Sequence, residues 1–309
     1  MARTRPKGFI GLGLASIEAA MMGRTEHVPT SDDYPDSVVR RISFTAGGGL
    51  GWRLSALETP RVTPAPWKIV VVTGAPSWAE YWAPVLAALP QNREMVVVDR
   101  PGFGASEPPT CIADIRTQAQ ALAPLLKAAP GQKILLVGQS YGAAIAVLMA
   151  AANPKAVGAV VMLSSYLGDL GPTARWLVGL GERMGALIPR DLRHAIIEVS
   201  GQRAQLPYMR QALRRLRAPI HVIHGDKDDF APMELARKLV AETAHPSIRF
   251  VPAAGADHFI NDRPVEFVLN CLEACIPAAP AAKPRFAWPR LGWFKPAATP
   301  STVARGGVG

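Results

Sequence analysis

A chain of 309 residues, 49% hydrophobic and 19% charged, has enough apolar material for one large α/β domain with tails or for two small domains. Its formal net charge of +10 raises the question of a nucleic-acid partner, but most of the excess lies at the ends. Residues 1–30 carry Arg3, Arg5, Lys7 and Arg24 against Glu18 and Glu26, and after Glu273 come Lys283, Arg285, Arg290, Lys295 and Arg305 with no acid. The central region therefore lacks the basic footprint of a nucleic-acid binder, and three irregularly spaced cysteines, Cys111, Cys271 and Cys275, exclude a disulfide framework.

Residues 1–37 read as a basic and apolar segment followed by a linker. The apolar run Gly8–Ile17 follows basic residues as in a signal peptide, yet Glu18 ends it after ten residues and no clear cleavage site precedes a polar start. It is too short to span a bilayer, and the expectation is a short helix lying on the domain or on a membrane surface. Residues 24–37 form a polar linker. The cysteine usage fits a reducing compartment, so the expected location is cytoplasmic, with export or membrane association through this segment as the alternative.

Residues 38–276 carry the predicted domain. Val38–Phe44 and Leu50–Leu57 partly alternate apolar with polar residues around Gly47-Gly48-Gly49, a hairpin signal. After a proline-rich connection the texture changes to continuous apolar strands: Ile69–Val72, Met95–Val98, Ile134–Val137, Val157–Met162, Ile220–Ile223 and Ile248–Val251. Helical segments fall between them, near residues 78–89, 114–128, 141–152, 232–244 and 263–275. Strands without polar alternation, separated by helices, build a doubly wound, mostly parallel sheet of about eight strands, whose functional loops gather at the carboxyl ends of the strands. One interval, from Ser164 to Pro219, is too long for a single helix. Residues 165–217 are predicted to form a small helical cap with a returning helix at about Tyr208–Arg217. From 277 to 309 the chain turns to alanine, proline and glycine with scattered cations, which predicts a largely disordered tail. Its aromatics, Phe286, Trp288, Trp293 and Phe294, would suit docking on the domain, a partner or a lipid surface, so peripheral membrane contact through the termini is a further expectation.

Three stretches can carry chemistry. Gly138-Gln139-Ser140-Tyr141-Gly142 lies between a predicted strand and a predicted helix, a corner that exposes the serine hydroxyl beside a helix N-terminus. A serine hydroxyl needs a base to take its proton and a carboxylate to orient that base. His221-Val222-Ile223-His224-Gly225-Asp226-Lys227-Asp228-Asp229 places carboxylates after one strand, and Gly255-Ala256-Asp257-His258 places a histidine after the next. The order Ser, Asp, His follows.

With Val98-Asp99-Arg100-Pro101-Gly102-Phe103-Gly104 as a glycine-rich turn, and His224-Gly225-Asp226-Lys227-Asp228 as an H-G-x-x-D loop, the chain resembles α/β-hydrolase fold proteins over about residues 38–276. The resemblance implies Ser140 as nucleophile, His258 as general base and Asp228 as the orienting acid, with Asp226 and Asp229 as alternatives to Asp228. His221 and His224 read as packing or hydrogen-bonding residues. The resemblance further implies an oxyanion hole from the backbone amides of Ala75 and Tyr141. Here the chain departs from the pattern, because Thr73-Gly74 stands where the family usually has His-Gly.

A serine at the elbow argues against the family's dehalogenases and epoxide hydrolases. The implied function is a serine hydrolase cleaving a small-to-medium apolar carboxylic ester or thioester through an acyl-enzyme, without cofactor or metal. Trp78, Phe103, Phe230 and Phe259, together with Trp82, are the pocket candidates. A carbon–carbon hydrolase, a cofactor-free haloperoxidase and a non-catalytic binding protein of the same fold are the alternatives.

Overall fold

The computed structural model describes residues 29–243 and 245–277. The apolar run Gly8–Ile17 and the tail from residue 278 onward lie outside the described residues, so the expectations attached to them are untouched by the structure. The end of the predicted linker is docked on the domain: Ser31 donates from its amide and hydroxyl to Glu80.

Eight strands form one sheet: β1 (Arg40–Thr45), β2 (Arg53–Glu58), β3 (Trp67–Val72), β4 (Arg93–Asp99), β5 (Lys133–Gln139), β6 (Val157–Leu163), β7 (Ile220–Gly225) and β8 (Ile248–Ala253). Their spatial order is β1-β2-β4-β3-β5-β6-β7-β8. The predicted hairpin is the antiparallel pair β1–β2, β2 runs antiparallel to β4, and every later pairing is parallel. The apolar runs of β3 to β7 are explained by burial on both faces, whereas the edge strand β8 is half-buried or exposed over most of its length. On β3 and β5, Val70, Val72, Ile134 and Leu136 belong to one core, while Ile69, Val71, Leu135 and Val137 belong to the other.

Eight α-helices accompany the sheet among the described residues: α1 (Ala83–Ala87), α2 (Ile115–Leu122), α3 (Gly142–Ala152), α4 (Pro172–Met184), α5 (Arg190–Gly201), α6 (Leu206–Arg215), α7 (Met233–Glu242) and α8 (Val265–Glu273). Helices α2, α3, α6 and α7 contribute to the first core and α1 and α8 to the second. Among the described residues no helix is long and apolar enough to cross a membrane.

Helix α3 is built for close approach. A Cβ added at Gly142 would lie 2.3 Å from the carbonyl oxygen of Val72, and one added at Gly138 would lie 2.5 Å from Ala143 Cα. Both obstacles are backbone, so neither can swing aside. Gly142→Ala is therefore expected to destabilise the fold by about 1–3 kcal/mol, the usual range for overpacking. A lower urea midpoint with an unchanged slope is the result that checks it.

The long interval between β6 and β7 holds α4, α5 and α6. Helix α6 is the predicted returning helix, and it packs Leu206, Met209, Ala212 and Leu213 into the same core as α3. Helix α5 is tied to the loops after β3 and β4. Asp191 accepts from the Trp78 indole at 2.7 Å and from the Gly104 amide at 2.9 Å, and His194 Nδ1 lies 2.8 Å from the Gly102 carbonyl. Glu198 pairs with Arg100, and neither side chain is exposed to solvent.

Candidate active site

Ser140 sits between the last residue of β5 and the start of α3 with φ at 50°, a conformation uncommon for a residue with a Cβ. Its amide is held by the Leu163 carbonyl at 2.8 Å, which fixes the corner against β6. Strain of this kind, on the order of 1–3 kcal/mol, persists only where the surroundings enforce it.

The loops after β7 and β8 meet this corner. His258 Nε2 is 3.0 Å from Ser140 Oγ, and His258 Nδ1 is 2.8 Å from Asp228 Oδ2. The ring of His258 stacks on Phe230 at 5.4 Å and meets Phe259 edge-on at 5.4 Å, so two aromatic side chains fix its plane. Asp228 is surrounded by donors: its Oδ1 accepts the amides of Phe230 and Ala231, and its Oδ2 also lies 3.0 Å from His224 Nε2. Burial acts to raise the Asp228 carboxyl. The charge of His258, hydrogen bonds from both histidines and the Ala231 amide outweigh it and hold the group well below the usual carboxylate range.

The alternatives to Asp228 are engaged elsewhere. Asp226 accepts the Gly255 amide at 2.7 Å, and Asp229 accepts the Thr173 hydroxyl. His224, a buried hydrogen-bonding residue as expected, supports the acid directly. Its Nε2 proton is shared between Asp228 and the Ala231 carbonyl, which lies 2.9 Å away.

Thr73, Gly74 and Ala75 form one wall of a cleft that also contains Ser140 and His258. Thr73, in the place of the family's histidine, bonds through Oγ1 to the Val98 carbonyl at 3.0 Å and to Ser77 Oγ. Ser77 Oγ in turn receives the Arg100 amide at 2.8 Å. The loop thus has its own buried network, and a threonine suffices to anchor it.

Of the aromatic pocket candidates, Phe230 and Phe259 line the cleft. Trp78 and Phe103 do not. Trp78 turns its indole toward Asp191 on α5 and packs on Tyr81, and Phe103 is fully buried against Arg100 and His194. Trp82 is also fully buried and donates to Gln139 Oε1 at 2.9 Å. The cleft instead includes Tyr81, Gln139 and Asn261, which sequence reasoning missed. Gln139 and Asn261 are buried and hydrogen-bonded to each other across 122 residues of sequence, joining the elbow to the histidine loop. Gln139 lies within the serine pentapeptide and Asn261 three residues after His258, the one signal that pointed to them.

Among the described residues no group of three or more His, Cys, Asp or Glu is arranged to hold a metal ion. Cys271 and Cys275 are free thiols on and just after α8, with Cys275 buried and its thiol pushed up to about 12 by desolvation and by Cys271.

The sheet order, the elbow and the loop positions define an α/β-hydrolase fold protein. The alpha/beta hydrolase fold family profile matches residues 68–195, and the chain has that fold. Its sequence is similar to the Klebsiella pneumoniae (strain 342) protein named "Putative carbamate hydrolase RutD", with 32% identity over 128 residues, 40% of this chain and 48% of that one. The chain thus spans about half the length of the first curated relatives it matches. A second relative is 2-hydroxy-6-oxononadienedioate/2-hydroxy-6-oxononatrienedioate hydrolase 2 of Pseudomonas putida, 24% identical over 213 residues, 57% of this chain and 74% of the relative. Among solved structures, the 2-hydroxy-6-oxo-6-phenylhexa-2,4-dienoate hydrolase from Rhodococcus sp. strain RHA1 superposes with a TM-score of 0.60 at 20% identity, covering 76% of this chain and 98% of its own. The esterase RhEst1 from Rhodococcus sp. ECU1013 gives 0.58 at 19% identity, covering 75% and 99%. At these identities the structures establish the shared fold.

Proposed function

We propose that the protein is a serine hydrolase that cleaves a small-to-medium apolar carboxylic ester or thioester through an acyl-enzyme. The observation that carries this reading is the continuous chain of contacts from Ser140 Oγ to His258 Nε2 at 3.0 Å and from His258 Nδ1 to Asp228 Oδ2 at 2.8 Å. In this reading His258 takes the Ser140 proton as Oγ attacks the substrate carbonyl. The carbonyl π electrons move onto oxygen, and the amides of Ala75 and Tyr141 stabilise the resulting oxyanion. Collapse of the intermediate expels the alcohol or thiol, which leaves with the proton from His258. Water then repeats the sequence on the acyl-Ser140, releasing the acid and restoring the hydroxyl. Asp228, held ionised, keeps His258 in the tautomer with its proton on Nδ1 and stabilises the imidazolium. In this reading helices α4 and α5 are the cap, tied to the loops around the site by Thr173 to Asp229 and by Asp191 to Trp78, while none of their residues lines the cleft among the described residues.

The cleft walls favour an uncharged acyl group. Phe230, Phe259, Tyr81, Ala75 and Pro76 supply apolar surface, and the polar side chains Thr73, Gln139 and Asn261 are neutral. The carbon–carbon hydrolase reading has the Pseudomonas putida relative in its favour. That relative's named substrates are dicarboxylates, whereas no lysine or arginine lines this cleft among the described residues. The RutD similarity keeps carbamates among the acyl groups to be tried, because they pass through the same addition and collapse. A panel of p-nitrophenyl acetate, butyrate and octanoate, acyl thioesters, a neutral carbamate and 2-hydroxy-6-oxononadienedioate separates the readings. Turnover fastest on the neutral esters or thioesters is expected. Turnover of the dienedioate with none of the esters would replace this reading with carbon–carbon cleavage, and a chain that binds these compounds without converting any would favour a binding protein.

A further inference from the structure

Arg100 lies in the glycine-rich turn after β4 and is fully buried, as is its partner Glu198 on α5. Buried ion pairs are poor stabilisers, since the desolvation cost offsets most of their attraction. The contacts of this one point to another use. All five guanidinium protons have acceptors. Nη1 donates to Glu198 Oε1 at 2.6 Å and to Gln118 Oε1 at 2.7 Å, and Nη2 donates to Glu198 Oε2 at 2.7 Å. The two remaining donors reach the wall of the cleft: Nε bonds the Thr73 carbonyl at 2.9 Å and Nη2 the Gly74 carbonyl at 2.7 Å.

The Gly74 carbonyl and the Ala75 N–H belong to one planar trans peptide and point in opposite directions. A guanidinium fixed on the oxygen side therefore aims the N–H to the other side. Gly74 faces Ser140 closely: a Cβ on Gly74 would lie 3.0 Å from Ser140 Cβ and 3.6 Å from Ser140 Oγ. The cation also polarises that peptide, strengthening its N–H as a donor. The Tyr141 ring, one residue beyond the nucleophile, lies 4.9 Å from Arg100 Cζ.

We propose that Arg100, held by Glu198, is a positioning residue that aims and polarises the Ala75 amide toward the oxyanion and thereby couples the insert helix α5 to acyl transfer. This rests on the serine-hydrolase reading and adds to it a role for a residue that does not touch substrate. Arg100→Lys keeps the charge but loses the fork, so it cannot hold both carbonyls and the carboxylate together. Glu198→Gln keeps the shape and removes the charge that restrains the fork.

The test uses the full chain, with melting temperatures recorded for wild type and both variants. It compares p-nitrophenyl butyrate kinetics, inhibition by an alkyl trifluoromethyl ketone, whose serine adduct carries an oxyanion, and labelling by a fluorophosphonate. Loss of one oxyanion donor costs about 10²–10³ in kcat. Misaiming one in Arg100→Lys is expected to cost about 10–100-fold in kcat, with KM within about twofold and ketone affinity falling in parallel. Glu198→Gln, the variant that best preserves packing, is expected to lose about 3–10-fold in kcat with the same parallel, part of the cost of a lost donor. Either folded variant with kcat near wild type, or a fall in kcat without a matching fall in ketone affinity, would overturn the role. A wild-type chain that neither labels nor turns over ester would overturn the hydrolase reading and this role with it, whereas a wild type that does both beside unaffected variants would overturn the positioning role alone.

Discussion

Replacing Ser140 with alanine is expected to lower kcat on p-nitrophenyl butyrate by about 10⁴-fold or more, since in the proposed mechanism it removes the nucleophile and leaves only binding and oxyanion stabilisation. The fold should tolerate it. The hydroxyl's interaction with His258 is at 3.0 Å, and alanine at φ 50° carries the same Cβ strain as serine. Ser140→Gly removes that strain and is expected to be equally inactive yet more stable than wild type, by about 1 kcal/mol. Parallel urea titrations and steady-state rates on the three proteins check both statements. An active alanine variant would show that the chemistry lies elsewhere.

The second large effect belongs to Asp228. Its two oxygens face four donors: the amides of Phe230 and Ala231 and the nitrogens of His258 and His224. In Asp228→Asn the NH₂ group must oppose one pair of them, and the tautomer of His258 is no longer specified. A fall of about 10³–10⁴ in kcat is expected, together with a loss of stability that depends on pH. The sign follows from the depressed carboxyl. Stabilisation by this ionised group is fully present above its unfolded value, about 3.9, and is lost as pH falls toward its lower folded value. The gap in urea midpoint between wild type and Asp228→Asn should therefore be wide at pH 6–7 and narrow progressively below about pH 4. A gap that widens on acidification would contradict the assignment.

These two residues were legible in the sequence because the fold leaves little choice. Ile69–Val72 and Ile134–Val137 are apolar without interruption, which demands a sheet covered on both faces, and such a sheet presents the ends of β5, β7 and β8 on one edge. Ser140, Asp228 and His258 follow those three strands in order. The insert was legible as an interval too long for one helix, and its returning helix, expected near Tyr208–Arg217, runs Leu206–Arg215.

What escaped the sequence are side-chain directions and long-range polar partners. Trp78 and Phe103 lie on the expected loops, but an aromatic on a loop can turn to either side. One is drawn to Asp191, 113 residues away, and the other is packed beneath Arg100. Arg100 is legible only as part of the glycine-rich turn, because its partner Glu198 lies 98 residues later on α5 and is brought against it by the fold. Gln139 and Asn261 look like polar loop residues because neither is adjacent in sequence to the partner that permits its burial.

The most direct test is covalent. The full chain is treated with an alkyl fluorophosphonate and digested, and the modified peptide is sequenced by mass spectrometry. Stoichiometric modification at Ser140, absent in Ser140→Ala and strongly slowed in His258→Ala, is the expected result. No adduct on folded protein, or an adduct that persists in Ser140→Ala, would contradict an activated serine at this site.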